Sequence, residues 1–233
     1  MQWPESKSDN DQWRTKISNL AAKESVAQEM AARLRDGDVV GVGSGSTSLL
    51  TLHALVEAAQ RQGWRFTAIT TSLEMEMTCA ELGVPTLSLL EARPAWSFDG
   101  ADEIDEHHNM IKGRGGAMVR EKLIMSASTE RYAVVDGSKR VQRLGERATI
   151  PIEIIPESLQ LVQARLRETF RVLTSDLRQA VAKDGPVITE YGNLILDVRF
   201  VDVKPELDGA LNSIPGVLGT GLFVGFNPTV ISA

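Results

Sequence analysis

Residues 98–121 gather Asp99, Asp102, Glu103, Asp105, Glu106 and Glu121 with Lys112 and the glycines Gly113, Gly115 and Gly116. Carboxylates beside a lysine are the raw material of proton transfer, and glycines let a backbone approach a ligand closely. A structural loop seldom needs both. Residue type alone does not say which carboxylate reacts. Asp105 and Glu106 run into His107, His108 and Asn109, which reads as a solvated loop. The adjacent histidines make a poor metal pair, and the acidic run lacks the spacing of a calcium loop. Magnesium, which needs only one or two carboxylates plus substrate oxygens, stays open on the residues alone. Lys112 reads either as a cation held near a substrate oxygen or as part of a flexible surface turn. Glu121, taken singly, reads as a first-turn helix acid favoured by the helix dipole.

A second group comes earlier. Gly43, Ser44, Gly45, Ser46 and Thr47 lie between the apolar run 39–42 and the helix-forming run 48–60. Strand, Gly/Ser/Thr turn and helix converge backbone N–H groups and hydroxyls on an anion. The segment GVGSGSTS (41–48) is neither the G-x-G-x-x-G fingerprint nor a Walker motif. Thr70, Thr71 and Ser72 stand where an acidic ribose ligand would end the second strand. A small phosphate therefore fits better than a nucleotide, with a plain tight turn as the alternative.

Positioning these groups falls to alternating elements. Residues 15–35 have helical spacing, 66–70 read as a strand, and a helix follows from Thr71 and Ser72 to about Gly83. A short strand is expected over 86–89, a helix over 118–128 with Glu121 in or near its first turn, and a buried strand over 132–136. The alternation predicts an α/β chain with an open, mostly parallel, Rossmann-like sheet. Ligands of such sheets bind beyond the carboxyl ends of the strands, where the polar turns 43–47, 71–72, 99–105 and 136–139 all fall. Past Thr149 the texture changes to a strand (150–155), a helix (158–170), a strand pair (187–189 and 194–200) and a helix (205–214). This predicts a second, smaller α+β domain, ferredoxin-like in order. The expected boundaries are a disordered extension over 1–14, a catalytic domain over 15–148, the small domain over 149–217, and a return to the first domain over 218–233.

Net charge is −6 over 233 residues, an ordinary surface without the basic footprint of a nucleic-acid binder. Cys79 is the single cysteine, which excludes an internal disulfide and Cys-rich zinc sites. It has no low-pKa motif around it and reads as a packing residue. With no apolar run of membrane length and a polar, acidic start, the cytoplasm is expected.

Together the motifs closely resemble the ribose-5-phosphate isomerase family, type A. They are GVGSGST (41–47), TS (71–72), DGADEID (99–105), IKGRGGAMVREK (111–122), VVDGSK (134–139), PIEIIP (151–156), GPVITEYGNLILD (185–197) and IPGVLGTGLF (214–223), in the family's order. The resemblance implies interconversion of ribose 5-phosphate and ribulose 5-phosphate with neither metal nor organic cofactor. It implies Glu121 as the base, with Asp99, Asp102 and Lys112 assisting ring opening and holding hydroxyls. Ser44, Gly45, Ser46 and Thr47 become substrate ligands, with Thr71 and Ser72 nearby. Gly100, Ala101, Gly113, Arg114 and Gly115 line the same site, and Lys23 and Lys139 stand on the phosphate side. It also implies a homodimer or homotetramer, and no nucleic-acid or membrane partner. Arg114 departs from the family's usual glycine, Glu190 and Tyr191 from its usual Asp-Asn, and Gly137 from a commonly acidic residue. These departures leave room for a relative acting on another sugar phosphate. A non-catalytic sugar-phosphate sensor is the remaining rival. DNA-binding regulators of sugar metabolism usually add a basic helix-turn-helix, for which the run before Thr15 has no room.

Overall fold

The computed structural model describes residues 17–233. The extension expected over 1–14 lies outside them. Five strands, β1 (Val39–Val42), β2 (Thr67–Thr70), β3 (Trp96–Asp99), β6 (Glu130–Val135) and β12 (Thr229–Ser232), form a sheet in the order β12-β6-β3-β1-β2. All neighbours are parallel. Val40, Val42, Phe98 and Val134 are fully buried, as strands covered on both faces must be. Helices α1 (Leu20–Ala31) and α2 (Gly45–Gln62) close the core through Met30, Leu52 and Leu55. Further along come α3 (Leu73–Glu81) and α4 (Met118–Ala127).

This strand order has a consequence for function. From β1 the chain moves to β2 on one side, and β3 then lies on the other. The connections diverge there and leave a crevice at the carboxyl ends of β1 and β3, the switch point of doubly wound sheets. The loops that start at Gly43 and Gly100 flank it.

The second sheet is antiparallel, in the order β10-β7-β9-β8. Its strands are β7 (Ile150–Ile154), β8 (Val172–Leu177), β9 (Leu194–Phe200) and β10 (Val217–Thr220), with α5 (Leu159–Thr169) and α6 (Glu206–Asn212) between them. This is the β-α-β-β-α-β order of ferredoxin-like units. The expected strand pair differs in one member: β9 pairs with β8, and residues 187–189 form no strand. Thr189 and Asn193 turn inward instead, donating to the buried Glu153 carboxylate at 2.7 and 2.9 Å. The strand expected over 86–89 is reduced to a single bridge from Thr86 to Ala68.

A third, small sheet reshapes the acidic stretch. β4 (Glu103–Ile104) and β5 (Met110–Ile111) form a hairpin completed by β11 (Leu222–Phe223). Asp105 organises its turn by accepting from the N–H groups of His107 and Asn109. Two-residue strands are too short for a period-2 signal, so the hairpin was not legible. It folds the chain back so that Lys112 returns to Asp99, and the Asp102 N–H donates to the Ile111 carbonyl at 2.8 Å. Glu103, fully buried, accepts from the N–H groups of Gly145, Arg147 and Ala148, which makes it a structural anchor.

Candidate active site

A cavity of about 580 Å³ opens at the switch point. Lys112 sits at its floor, buried, with Nζ 2.9 Å from Asp99 Oδ2 and 3.3 Å from Glu121 Oε2. Nζ also donates to the Gly100 carbonyl and faces the Phe223 ring, 5.5 Å from its centroid. Asp99 Oδ1 accepts from the N–H groups of Ser44 (3.2 Å) and Gly100 (2.8 Å), and from the Ser48 hydroxyl (3.4 Å). Ser44 Oγ donates to Glu121 Oε1 at 2.8 Å. Glu121 lies in the first turn of α4, as the spacing predicted.

Local backbone makes this crowding feasible. A Cβ on Gly43 would stand 2.3 Å from the Asp99 carboxyl, so the first loop must carry glycine there for Asp99 to approach. Gly113 has φ +99°, and a Cβ would meet the Met118 side chain at 2.8 Å. This turns the chain sharply from Lys112 towards α4.

With both carboxylates ionised, the cluster around the one ammonium would carry one net negative charge. Burial, reinforced by Glu121 and opposed by Lys112, pushes the Asp99 carboxyl up to about 7. Burial alone would depress the Lys112 ammonium, but Asp99 and Glu121 outweigh it and hold it above its usual value. Lys112 is thus a permanent cation, and Asp99 a group that can take and release a proton near neutral pH.

A second set of cations lies at another part of the cavity. Lys23 reaches from α1 to donate to Ser46 Oγ at 3.1 Å. Burial lowers its affinity for its proton, and Lys139 and Arg114 lower it further, so the three lie within electrostatic reach of one another. Asp136 opposes that effect. Ser44, Gly45, Ser46 and Thr47 line the cavity between the two charged regions. A helix N-terminus and its hydroxyls beside three cations form an anion cradle.

Most residues singled out in the sequence meet here. Ser72, Asp99, Gly100, Ala101, Asp102, Lys112, Gly113, Arg114, Gly115, Glu121 and Lys139 all line the cavity. Thr71 does not. It is buried behind the wall, and its hydroxyl has no partner among the described residues. Ser72 caps α3, accepting from the Met75 N–H, while still facing the cavity. Asp102 accepts from the Arg114 N–H at 3.1 Å. Glu106 and His107 are exposed, as expected. Cys79 is buried, and burial pushes its thiol up to about 12, the state of a packing residue. The sequence reading missed Ser48 and Phe223. Ser48 falls one helical turn after Ser44, a usable signal; nothing local marks Phe223. Among the described residues no three His, Cys, Asp or Glu side chains group as metal ligands, and no helix is long and apolar enough to cross a membrane.

Comparison with known proteins identifies the family. Residues 67–233 match the family model described as ribose 5-phosphate isomerase A (phosphoriboisomerase A). A ribose-5-phosphate isomerase A of Synechococcus is 40% identical over 213 residues, covering 90% of this chain and 91% of the relative. One of Thermococcus kodakarensis is 39% identical, covering 86% and 89%. The Methanocaldococcus jannaschii ribose 5-phosphate isomerase A structure superposes with TM-score 0.85 at 36% identity, covering 89% of this chain and 92% of its own. A D-ribose-5-phosphate isomerase solved in complex with phospho-erythronic acid superposes with TM-score 0.86 at 33% identity, covering 90% and 93%. With the family model, these relatives and the superposed folds in agreement, the chain belongs to the ribose-5-phosphate isomerase A family.

Proposed function

We propose that the chain interconverts D-ribose 5-phosphate and D-ribulose 5-phosphate through a cis-enediolate, with Glu121 as the base. The observation that carries this reading is the Lys112 ammonium held between Asp99 and Glu121 on the floor of a cavity that also holds three cations. Glu121 takes the proton from C2 of the open-chain aldose and returns it to C1. As the C2 proton leaves, O1 becomes an oxyanion and accepts a proton. Loss of the O2 hydroxyl proton then leaves the ketone. Lys112, itself buried, stabilises the oxyanion. Asp99, with its raised proton affinity, carries the proton between O2 and O1. Asp102 joins Asp99 and Lys112 in opening the furanose ring. Lys23, Lys139 and Arg114 hold the phosphate, with Ser44, Ser46 and Thr47 along the sugar, and remote binding energy orients C1 and C2. Phospho-erythronic acid, the ligand named with one structural neighbour, carries a planar carboxylate that resembles the paired oxygens of an enediolate. The proposal includes a catalytic domain over residues 15–148 joined by 218–233, a small domain over 149–217, action in the cytoplasm, and assembly as a homodimer or homotetramer.

An assay of pentose, tetrose and hexose phosphates, followed by ketose formation in EDTA, tests the reading. Ribose 5-phosphate is expected to give the highest kcat/KM, unchanged by the chelator. A higher value for another sugar, or no turnover at all, overturns it.

Arg114 gives a separate prediction. Arg114→Ala is expected to raise KM for ribose 5-phosphate about 10-fold, the loss of one charged hydrogen bond, with kcat nearly unchanged. The effect shrinks at high salt, because the side chain is exposed and screened. Unchanged KM at low salt removes Arg114 from the phosphate site.

A further inference from the structure

Arg178, just past β8 in the small antiparallel sheet, reaches across to the loop that follows Lys112. Its Nη1 donates to the carbonyls of Gly113 and Arg114, each at 2.9 Å. Its other nitrogens grip the Asp197 carboxylate on β9, Nε at 2.7 Å and Nη2 at 2.5 Å. The backbone holds Arg178 in turn: its N–H donates to the Ile195 carbonyl, and its own carbonyl accepts from the Val187 N–H, both at 2.9 Å. The guanidinium is therefore fixed at its base and at its fork.

One of the two carbonyls it holds belongs to a peptide group already in use. The Gly113 C=O and the Arg114 N–H are opposite ends of one amide, and that N–H donates to Asp102 Oδ2 at 3.1 Å. A cation on the C=O polarises the amide and strengthens its N–H as a donor. The chain of contacts runs Asp197, Arg178, peptide 113–114, Asp102. Gly113 has φ +99°, in the region open to glycine, and the Gly116 N–H donates to its carbonyl at 2.9 Å, so Arg178 shares the hold on this peptide with one backbone hydrogen bond. Among the described residues no other side chain donates to either carbonyl.

We infer that Arg178 is a positioning residue for Asp102, acting from the small sheet through peptide 113–114, with Asp197 holding Arg178 in place. The inference rests on the isomerase reading of the site. It gives the small antiparallel sheet a role in catalysis besides packing: it sets the direction of a carboxylate that belongs to the other sheet's crevice. Lysine cannot do this, since one ammonium lacks the planar fork that spans a carboxylate and two carbonyls.

The test is a double-mutant cycle on kcat/KM for ribose 5-phosphate with Arg178→Ala and Asp102→Ala. Arg178→Ala alone is expected to cost about 10-fold, the lower end of losses for residues that orient a functional side chain. In the Asp102→Ala background the same change is expected to cost less than about twofold, because the group it orients is gone. Added guanidinium partly restores Arg178→Ala and leaves the double variant unchanged. Equal losses in both backgrounds overturn the inference, since a merely structural role lowers both alike. Should Arg178→Ala fail to fold, Arg178→Lys and Asp197→Asn are put through the same cycle with the same two outcomes. A wild-type protein inactive on ribose 5-phosphate would instead refute the isomerase reading, so the two failures are distinct.

Discussion

Replacing Glu121 by glutamine is expected to lower kcat by about 10³-fold, within the range a positioned general base contributes, and to leave KM within about threefold. Glutamine keeps the shape of the side chain and can still accept from the Ser44 hydroxyl, but it cannot take the C2 proton. Lys112 retains Asp99 at 2.9 Å, so the buried cation stays paired and the fold is expected to hold. Phospho-erythronic acid binding, measured by calorimetry, is expected to persist. Wild-type enzyme is expected to exchange carbon-bound hydrogen of the sugar with deuterated solvent, and the variant to do so at the same reduced rate as turnover. A variant that turns over at a near-normal rate removes Glu121 as the base.

Replacing Lys112 by glutamine strikes stability and chemistry together. Loss of the oxyanion partner is expected to cost about 10²–10³ in kcat. Removing one member of a buried charge cluster costs about 3–5 kcal/mol, or roughly 10 °C in Tm for a chain of this size. The loss depends on pH. Asp99 already binds its proton more tightly in the folded state than in the unfolded chain, where an aspartate titrates near 3.9. Proton binding therefore favours the folded state between these values, and stability declines as pH rises towards 7. Without the opposing Lys112 charge this window widens upward, so the Tm deficit is expected to be larger at pH 8 than at pH 5. Adding Asp99→Asn removes the facing carboxylate and is expected to recover most of the Tm at pH 8 without recovering activity. An equal deficit at both pH values, or no rescue by Asp99→Asn, contradicts the charge coupling among the three groups.

The parts of the site that read directly from the sequence are those in which local chemistry and local backbone coincide. The first loop declares itself because glycines, hydroxyls and a helix start fall within GVGSGSTS. Glu121 sits where helical spacing put it, in the first turn of α4. The small sheet's order was legible, but one strand was misassigned. Residues 187–188 look apolar, whereas β8 exposes Leu173 and Thr174 and carries a blurred alternation. Their ranking was reversed by a distant demand: the buried Glu153 draws in Thr189 and Asn193 as partners. Thr71 came with Ser72 in one family motif, but it lies just past the end of β2, where its N–H donates to the Val42 carbonyl at 3.1 Å and its side chain is buried outside the cavity lining.

Sequence alone determined the fold class, the loops that form the crevice and the family, because periodicity, turn chemistry and ordered motifs are local properties. Residue type could not separate the carboxylates of residues 98–121, since all are the same chemical group until surroundings distinguish them; only the family resemblance implied roles for Asp99, Asp102 and Glu121. Tertiary structure supplied the differing surroundings. Asp99 and Glu121 are desolvated around Lys112, Glu103 is enclosed by backbone N–H groups, and Asp105 organises a turn. The same is true of Lys23, Phe223 and Arg178, whose positions depend on helix packing and on two other sheets. Desolvation and charge pairing act through space, so they enter only once the sheets have brought these residues together.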